Sequence, residues 1–127
     1  MKGYRSVEIN QDDQPFDRFD SGMVTPVAVE LRPDAESLVT FEHPENALYV
    51  FGPEDGGVPK PIRLLCHRFV VIPTHHCLNL AAAVNVVLYD RRLKRMLAGV
   101  EPVGVASELL REHRGRVGST DTAADSA

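Results

Sequence analysis

The 127-residue chain has no apolar stretch approaching the roughly 20 residues that span a bilayer, so no transmembrane helix is expected. Its first residues, Met1-Lys2-Gly3-Tyr4-Arg5, lack the apolar run of a secretory signal. With only two cysteines, Cys66 and Cys77, the chain cannot carry the disulfide framework of a small secreted domain. Internal repeats are also missing. The expectation from these absences is a soluble, cytoplasmic protein with no membrane partner.

Other patterns are missing from places that invite them. Cys66-His67 and His75-His76-Cys77 bring potential zinc ligands together, but as adjacent pairs, without the spacing between ligands that zinc sites use. A zinc protein is therefore the distant alternative, and no metal ligand is assigned. Acidic residues are scarce in the middle of the chain. Residues 59–97 hold seven Lys/Arg against one acid, Asp90, while residues 1–58 hold four Lys/Arg against twelve Asp/Glu, in a chain of net charge -4. A locally basic face can meet RNA phosphates even on an acidic protein. The alternative is a solvated flank neutralised by acids from other elements.

What is present suits one domain with its own core. Residues 1–23 read as an N-terminal remnant or irregular segment, polar from 10 to 23 and broken by Pro15 and Gly22. Val24 to Leu31 favours a strand that stops at Arg32-Pro33. A connector from Asp34 to Pro44 follows, and Asn46 to Phe51 reads as a second strand. Its nearly unbroken apolar run suits a parallel strand covered on both faces. Next come a tight loop at Gly52–Gly57, a short helix over Pro59–Cys66, a strand over Phe69–Ile72 stopped by Pro73, and a loop at Thr74–Cys77. Leu78 to Met96 predicts a long helix, apolar on nearly every face as far as Leu88, that Gly99 and Pro102 end. Such a helix is expected to be buried between the sheet and a partner subunit. Val105–Arg114 reads as a short helix, and residues 115–127 as a disordered tail. Strands alternating with helices predict an α/β domain over residues 24–114, with ligands at the carboxyl ends of parallel strands.

Two loops follow such strands. Val50-Phe51-Gly52-Pro53-Glu54-Asp55-Gly56-Gly57-Val58-Pro59 is glycine-rich and allows close backbone approach to a ligand. It has neither of the glycine spacings that cradle nucleotide phosphates, and an ordinary strand-to-helix turn is the plain alternative. The second, Val71-Ile72-Pro73-Thr74-His75-His76-Cys77-Leu78-Asn79, runs into an alanine-rich helix whose first turn exposes backbone N–H groups. Asn79 is either a polar group of a site or a helix cap. Asn85 reads as a polar contact at a helix interface.

Together these loops resemble the second and third motifs of the SPOUT RNA methyltransferases, SpoU/TrmH branch: a strand followed by F/L-G-x-E-x-x-G-V/L, and I-P followed by S-L/M-N and a long A/V-rich helix. The resemblance spans residues 46 to 95. It implies a SPOUT-like parallel sheet with a C-terminal trefoil knot, here N-terminally shortened. It also implies S-adenosyl-L-methionine as cofactor, a homodimer, and methyl transfer to a ribose 2′-hydroxyl of tRNA or rRNA. By this resemblance Val29, Glu30, Gly52, Gly57, Ile72, Cys77 and Leu78 would line the cofactor pocket, and Glu54 and Asn79 would stand near the reacting groups.

The sequence departs from the family in three places. Cys77 and Ala81 stand where serine is frequent, and a thiol is the weaker hydrogen-bond donor. Residues 1–45 contain no N-x-G-x-x-R segment, whose arginine the family uses to help activate the ribose hydroxyl. Arg5 and Arg18 are the substitutes available. The alternative function is accordingly a non-catalytic SPOUT remnant that binds cofactor or dimerises.

Overall fold

The computed structural model describes residues 7–12, 14–17, 22–53 and 57–120, the stretch 116–120 by its backbone alone. It contains four strands and three α-helices: β1 (Thr25–Val29), β2 (Glu36–Ser37), β3 (Ala47–Phe51), α1 (Lys60–Arg63), β4 (Arg68–Val71), α2 (Leu80–Leu97) and α3 (Ala106–Thr120). Two compact units divide the chain, residues 1–93 and 94–127, where the sequence suggests one domain over 24–114.

The first unit is a four-stranded sheet in the order β2-β4-β1-β3, with every pairing parallel. β1 is central, Val29 pairing with Phe51 on one side and Val70 on the other. Side chains alternate between the two faces, as a pleated strand requires. Val27 and Val70 join Leu38, Phe41 and Val87 of α2 in one buried cluster, with Val29, Tyr49, Phe51 and Ile72 around it. Ala28 and Val50 join Val58 and Cys66 in the other, with Phe16, Leu48, Ile62 and Phe69 around it. The 3-10 turn Pro15–Asp17 thus brings Phe16 onto the sheet from a segment that reads as irregular in the sequence.

A proline in a central strand removes a ladder donor. Pro26 is tolerated because Thr25 already donates to Asn46 on the β3 side, at 2.7 Å, which turns the nitrogen of Pro26 toward β4. There β4 has not yet begun: its first residue, Arg68, pairs with Val27. β2 is only two residues long and has no pattern of its own. It is held by its pairing to β4 and by a two-pronged ion pair in which Arg68 donates to Glu36 at 2.7 and 2.9 Å. Those hydrogen bonds hold the Glu36 carboxyl below its ordinary range.

Several expected elements differ in extent. The expected helix over Pro59–Cys66 is a single turn, Lys60–Arg63, with Pro59 as its cap residue. α2 begins at Leu80, two residues later than expected. α2 was expected to be buried between the sheet and a partner subunit, and the chain by itself covers only the sheet side. Among its described residues only Val87 is fully buried; Val86, Tyr89 and Leu93 are exposed in the chain by itself. Its end forms as the sequence suggests. Gly99 takes φ 78°, and the N–H groups of Gly99 and Val100 return to the carbonyls of Met96 and Arg95 at 3.1 and 2.9 Å, a Schellman closure. In the second unit α3 continues to Thr120, past the expected stop at Arg114 and into the segment expected to be disordered.

Candidate functional site

Because the sheet is wholly parallel, β1, β3 and β4 finish at the same edge. Val29, Phe51 and Val70 form one row, and the next residues along are Glu30, Gly52 and Val71, with Ile72 one further. The glycine-rich loop leaves β3 on one side of β1, and the loop to Asn79 leaves β4 on the other. The structure thus places Val29, Glu30, Gly52, Gly57 and Ile72, named from the sequence, around one edge. Arg5, Arg18 and Glu54 lie outside the described residues.

The two ends of the glycine-rich loop meet. A Cβ at Gly52 would lie 2.5 Å from the carbonyl carbon of Gly57 and 2.6 Å from the nitrogen of Val58, both backbone atoms. A Cβ at Gly57 would run into Oε1 of Glu30. Close approach is thus the reason for both glycines, and the surface approached is the protein's own. Glu30 accepts a hydrogen bond from the Val58 N–H at 2.8 Å, while its own N–H donates to the Val70 carbonyl at 3.0 Å. Val58, fully buried beneath this contact, anchors the end of the loop.

The side chains of Val29 and Ile72 pack against the cluster under α2. What they offer at the edge is therefore mainly backbone. On the other loop residues 73–80 are exposed, Cys77 and Leu78 among them. Asn79 is the cap of α2: its Oδ1 accepts the Ala82 N–H at 2.8 Å. An oxygen committed to the cap leaves the amide NH₂ as the group able to meet a ligand. Cys66, by contrast, is buried, and burial, together with the Glu30 charge, pushes its thiol up to about 11. Among the described residues no group of three or more His, Cys, Asp or Glu is placed to hold a metal. Nor is any described helix long and apolar enough to cross a membrane.

Much of the basic stretch is engaged within the fold. Arg91 donates to the Pro44 and Glu45 carbonyls, both at 2.7 Å, and to the Tyr49 hydroxyl at 3.1 Å. Arg68 is paired with Glu36 and Arg95 with Glu101 at 2.6 Å. Acids from outside the stretch thus neutralise part of it, as the plainer reading of the charge pattern has it. Beside Arg91, His43 lies 2.6 Å from the Tyr49 hydroxyl and 2.7 Å from Asp90. One proton order satisfies these contacts: Arg91 donates to Tyr49, Tyr49 to His43, and His43 to Asp90. The cluster fastens α2 to the segment that enters β3, at the opposite end of the strands from the glycine-rich loop.

Residues 8–89 match the SpoU rRNA Methylase family, well over half of the chain. The chain belongs to that family. Among solved structures it is similar to the SpoU methyltransferase AviRb from Streptomyces viridochromogenes in complex with the cofactor AdoMet. There the identity is 26%, the TM-score 0.54, and the match covers 66% of this chain and 34% of that one. The TrmH/SpoU tRNA modifying enzyme of A. aeolicus shares the fold at 21% identity and TM-score 0.59, over 81% of this chain and 55% of that one. The SpoU chain here thus spans about a third and about half of the two. No curated protein matches it. The SpoU/TrmH reading of the two motifs holds, as does the parallel α/β sheet.

Proposed function

We propose that this SpoU-family chain binds S-adenosyl-L-methionine at the edge formed by Glu30, Gly52–Val58 and Ile72–Asn79, and acts in 2′-O-methylation of tRNA or rRNA. The observation that carries the reading is the placement of the two family loops on either side of the end of β1. Between them lies a strand-end edge with backbone groups from three strands, the kind of place where parallel sheets bind ligands. The AdoMet complex of AviRb supports the same cofactor here. The trefoil-knotted threading implied by the resemblance belongs to this reading.

When bound, the cofactor supplies an electrophilic methyl group. The chain's own residues bind and orient: the backbone of Gly52 and Ile72 toward adenosine, Leu78 as an apolar wall, Cys77 at the rim. The Asn79 amide, and Glu54 from the loop, would stand toward the ribose hydroxyl. That hydroxyl must lose its proton as the oxygen–carbon bond forms, and Arg5 or Arg18 would assist the group that takes it.

Calorimetry with S-adenosylhomocysteine and transfer of labelled methyl groups to total RNA test the proposal. Saturable heat and label recovered in 2′-O-methylated nucleotides are expected. An absence of heat from folded protein would sink the cofactor assignment, and label found in bases would sink the ribose assignment. The second reading, a cofactor-binding or dimerisation module without turnover, is favoured by Asn79, whose oxygen is occupied in capping α2. Binding without label transfer would select it.

The homodimer is proposed on the outer face of α2. Val86, Tyr89 and Leu93, with Leu38, Asn85 and Asp90, line an open groove of about 400 Å³ there. Tyr89 is 61% exposed. Exposed apolar surface of this kind is what a two-fold interface covers. Sedimentation equilibrium at tens of micromolar, a concentration of the order of common dimer affinities, should give a dimer. A monomer there would overturn it. A cytoplasmic location goes with the RNA substrate.

A further inference from the structure

Glu30 occupies a singular position at the candidate site. Its backbone N–H ties β1 to the carbonyl of Val70 on β4, and its carboxylate ties β1 to the Val58 N–H in the loop after β3. One residue therefore joins all three strand ends around which the two family loops are arranged. The carboxylate lies so close to Gly57 that a side chain there would displace it from this place. Glycine at 57 suits this contact, since the three atoms nearest to an added Cβ all belong to the Glu30 side chain.

At the described end of the loop the contact acts beside one other, the donation of the Arg63 guanidinium to the Val58 carbonyl at 3.2 Å. Gly52, Gly56 and Gly57 leave the loop backbone few side chains of its own to restrain it. Val58 is fully buried, so its N–H would lose solvent as well as partner if the carboxylate were removed. A buried donor left without an acceptor is costly, and a bond to a charged acceptor is stronger than a neutral one. The nearby Cys66 thiol registers the same charge.

We propose that Glu30 is a positioning residue for the cofactor edge: by accepting the Val58 N–H it holds Gly57–Val58, the end of the glycine-rich loop, against β1, so that its part in the edge is to place that backbone and not to contact the cofactor. The inference rests on the cofactor assignment above and adds to it a residue that acts through the loop. Removing the grip frees Gly57–Val58 from β1, and apparent affinity falls by the fraction of time that placement is lost.

The test compares Glu30→Ala, Glu30→Gln, Gly57→Ala and the double variant Glu30→Ala/Gly57→Ala. Affinity for S-adenosylhomocysteine is read by calorimetry, protection of the Val58 amide by hydrogen exchange, and folding by circular dichroism. Glu30→Ala should weaken binding by about tenfold or more, the scale of a charged hydrogen bond. Glu30→Gln, whose amide oxygen still accepts the Val58 N–H, should recover most of that loss. Gly57→Ala should reproduce the Glu30→Ala defect by displacing the carboxylate, yet add nothing in the double variant. Equal weakening by Ala and Gln would mean that the carboxylate itself meets the cofactor, which would overturn a positioning role. So would unchanged affinity in Glu30→Ala, or additive losses in the double variant. The Val58 amide should lose protection in Glu30→Ala whether or not cofactor binds. Intact protection overturns the inference by itself, whereas wild-type protein that shows the grip but no heat overturns only the cofactor assignment.

Discussion

Asn79 has two roles open to it, and three substitutions separate them. Its Oδ1 accepts the Ala82 N–H at 2.8 Å, and its own carbonyl accepts the Ala83 N–H at 2.9 Å, which makes it the cap residue of an 18-residue helix. Replacing a capping Asn by Ala typically costs about 1 kcal/mol, within a range of roughly 0.5–2. Asn79 is exposed, so no cavity adds to that figure. For a chain of this size the loss should lower Tm by about 3–6 °C. Asn79→Asp keeps the capping oxygen and adds a negative charge where the helix dipole favours one, so Tm should hold or rise slightly. Asn79→Ser should behave likewise. Methyl transfer should divide the variants differently, because Asp and Ser both lack the amide NH₂ that the proposed function uses. Differential scanning calorimetry beside the labelled-methyl assay reads both quantities on the same protein. An alanine variant that melts with the wild type would refute the capping argument. Asp and Ser variants that turn over as fast as Asn79 would refute a chemical role for the amide.

Gly52→Ala places a methyl group within 3 Å of three backbone atoms of Gly57 and Val58, so it should both lower Tm and abolish detectable heat with S-adenosylhomocysteine; unchanged binding would show that the loop has room to spare. The two thiols should differ sharply toward an alkylating reagent at pH 8. Cys77 is exposed and should react at once, while Cys66, buried and with its thiol raised to about 11, should react only on unfolding; two fast equivalents would contradict the packing. The raised Cys66 value also fixes a sign: the unfolded thiol ionises first, near its ordinary 9.0, so stability should fall as pH rises from about 9 toward 11. Cys66→Ala should flatten that slope in urea unfolding curves.

How much was legible from sequence follows from range. β3 and β4 are parallel strands that show as apolar runs closed by Gly52 and Pro73, so they could be read locally. α2 was legible from Ala81 through Leu88, and its Schellman end from Gly99. β2 was not, because Glu36-Ser37 becomes a strand only through the register of β4. Phe16 gave no signal either, since an aromatic in a polar segment shows its packing only once the sheet exists. At the site, the glycines announced close approach but not the surface approached. For Gly57 that surface is Glu30, 28 residues from the Val58 that it holds. The partners of the basic run were out of view for the same reason: Glu36 and the Pro44 and Glu45 carbonyls are distant in sequence from the arginines they engage. The cap at Asn79 was within reach, because Asn before an alanine-rich helix already offers that role.

The central position of β1 has a consequence for how the chain comes into being. Thr25–Val29 is the first of the four strands to be synthesised, yet it lies between the third and the last. Val27 and Ala28 have no accessible surface in the finished sheet, and their neighbours on one side arrive only when the chain has been made as far as Val71. Until then an apolar strand with its β4 edge unpaired must wait. Waiting of that kind slows folding and invites pairing with other chains. The proline at its second position then has a use during synthesis as well as a tolerated place in the product: lacking an N–H, Pro26 makes the waiting strand a poorer template for a stray neighbour on the very side reserved for β4.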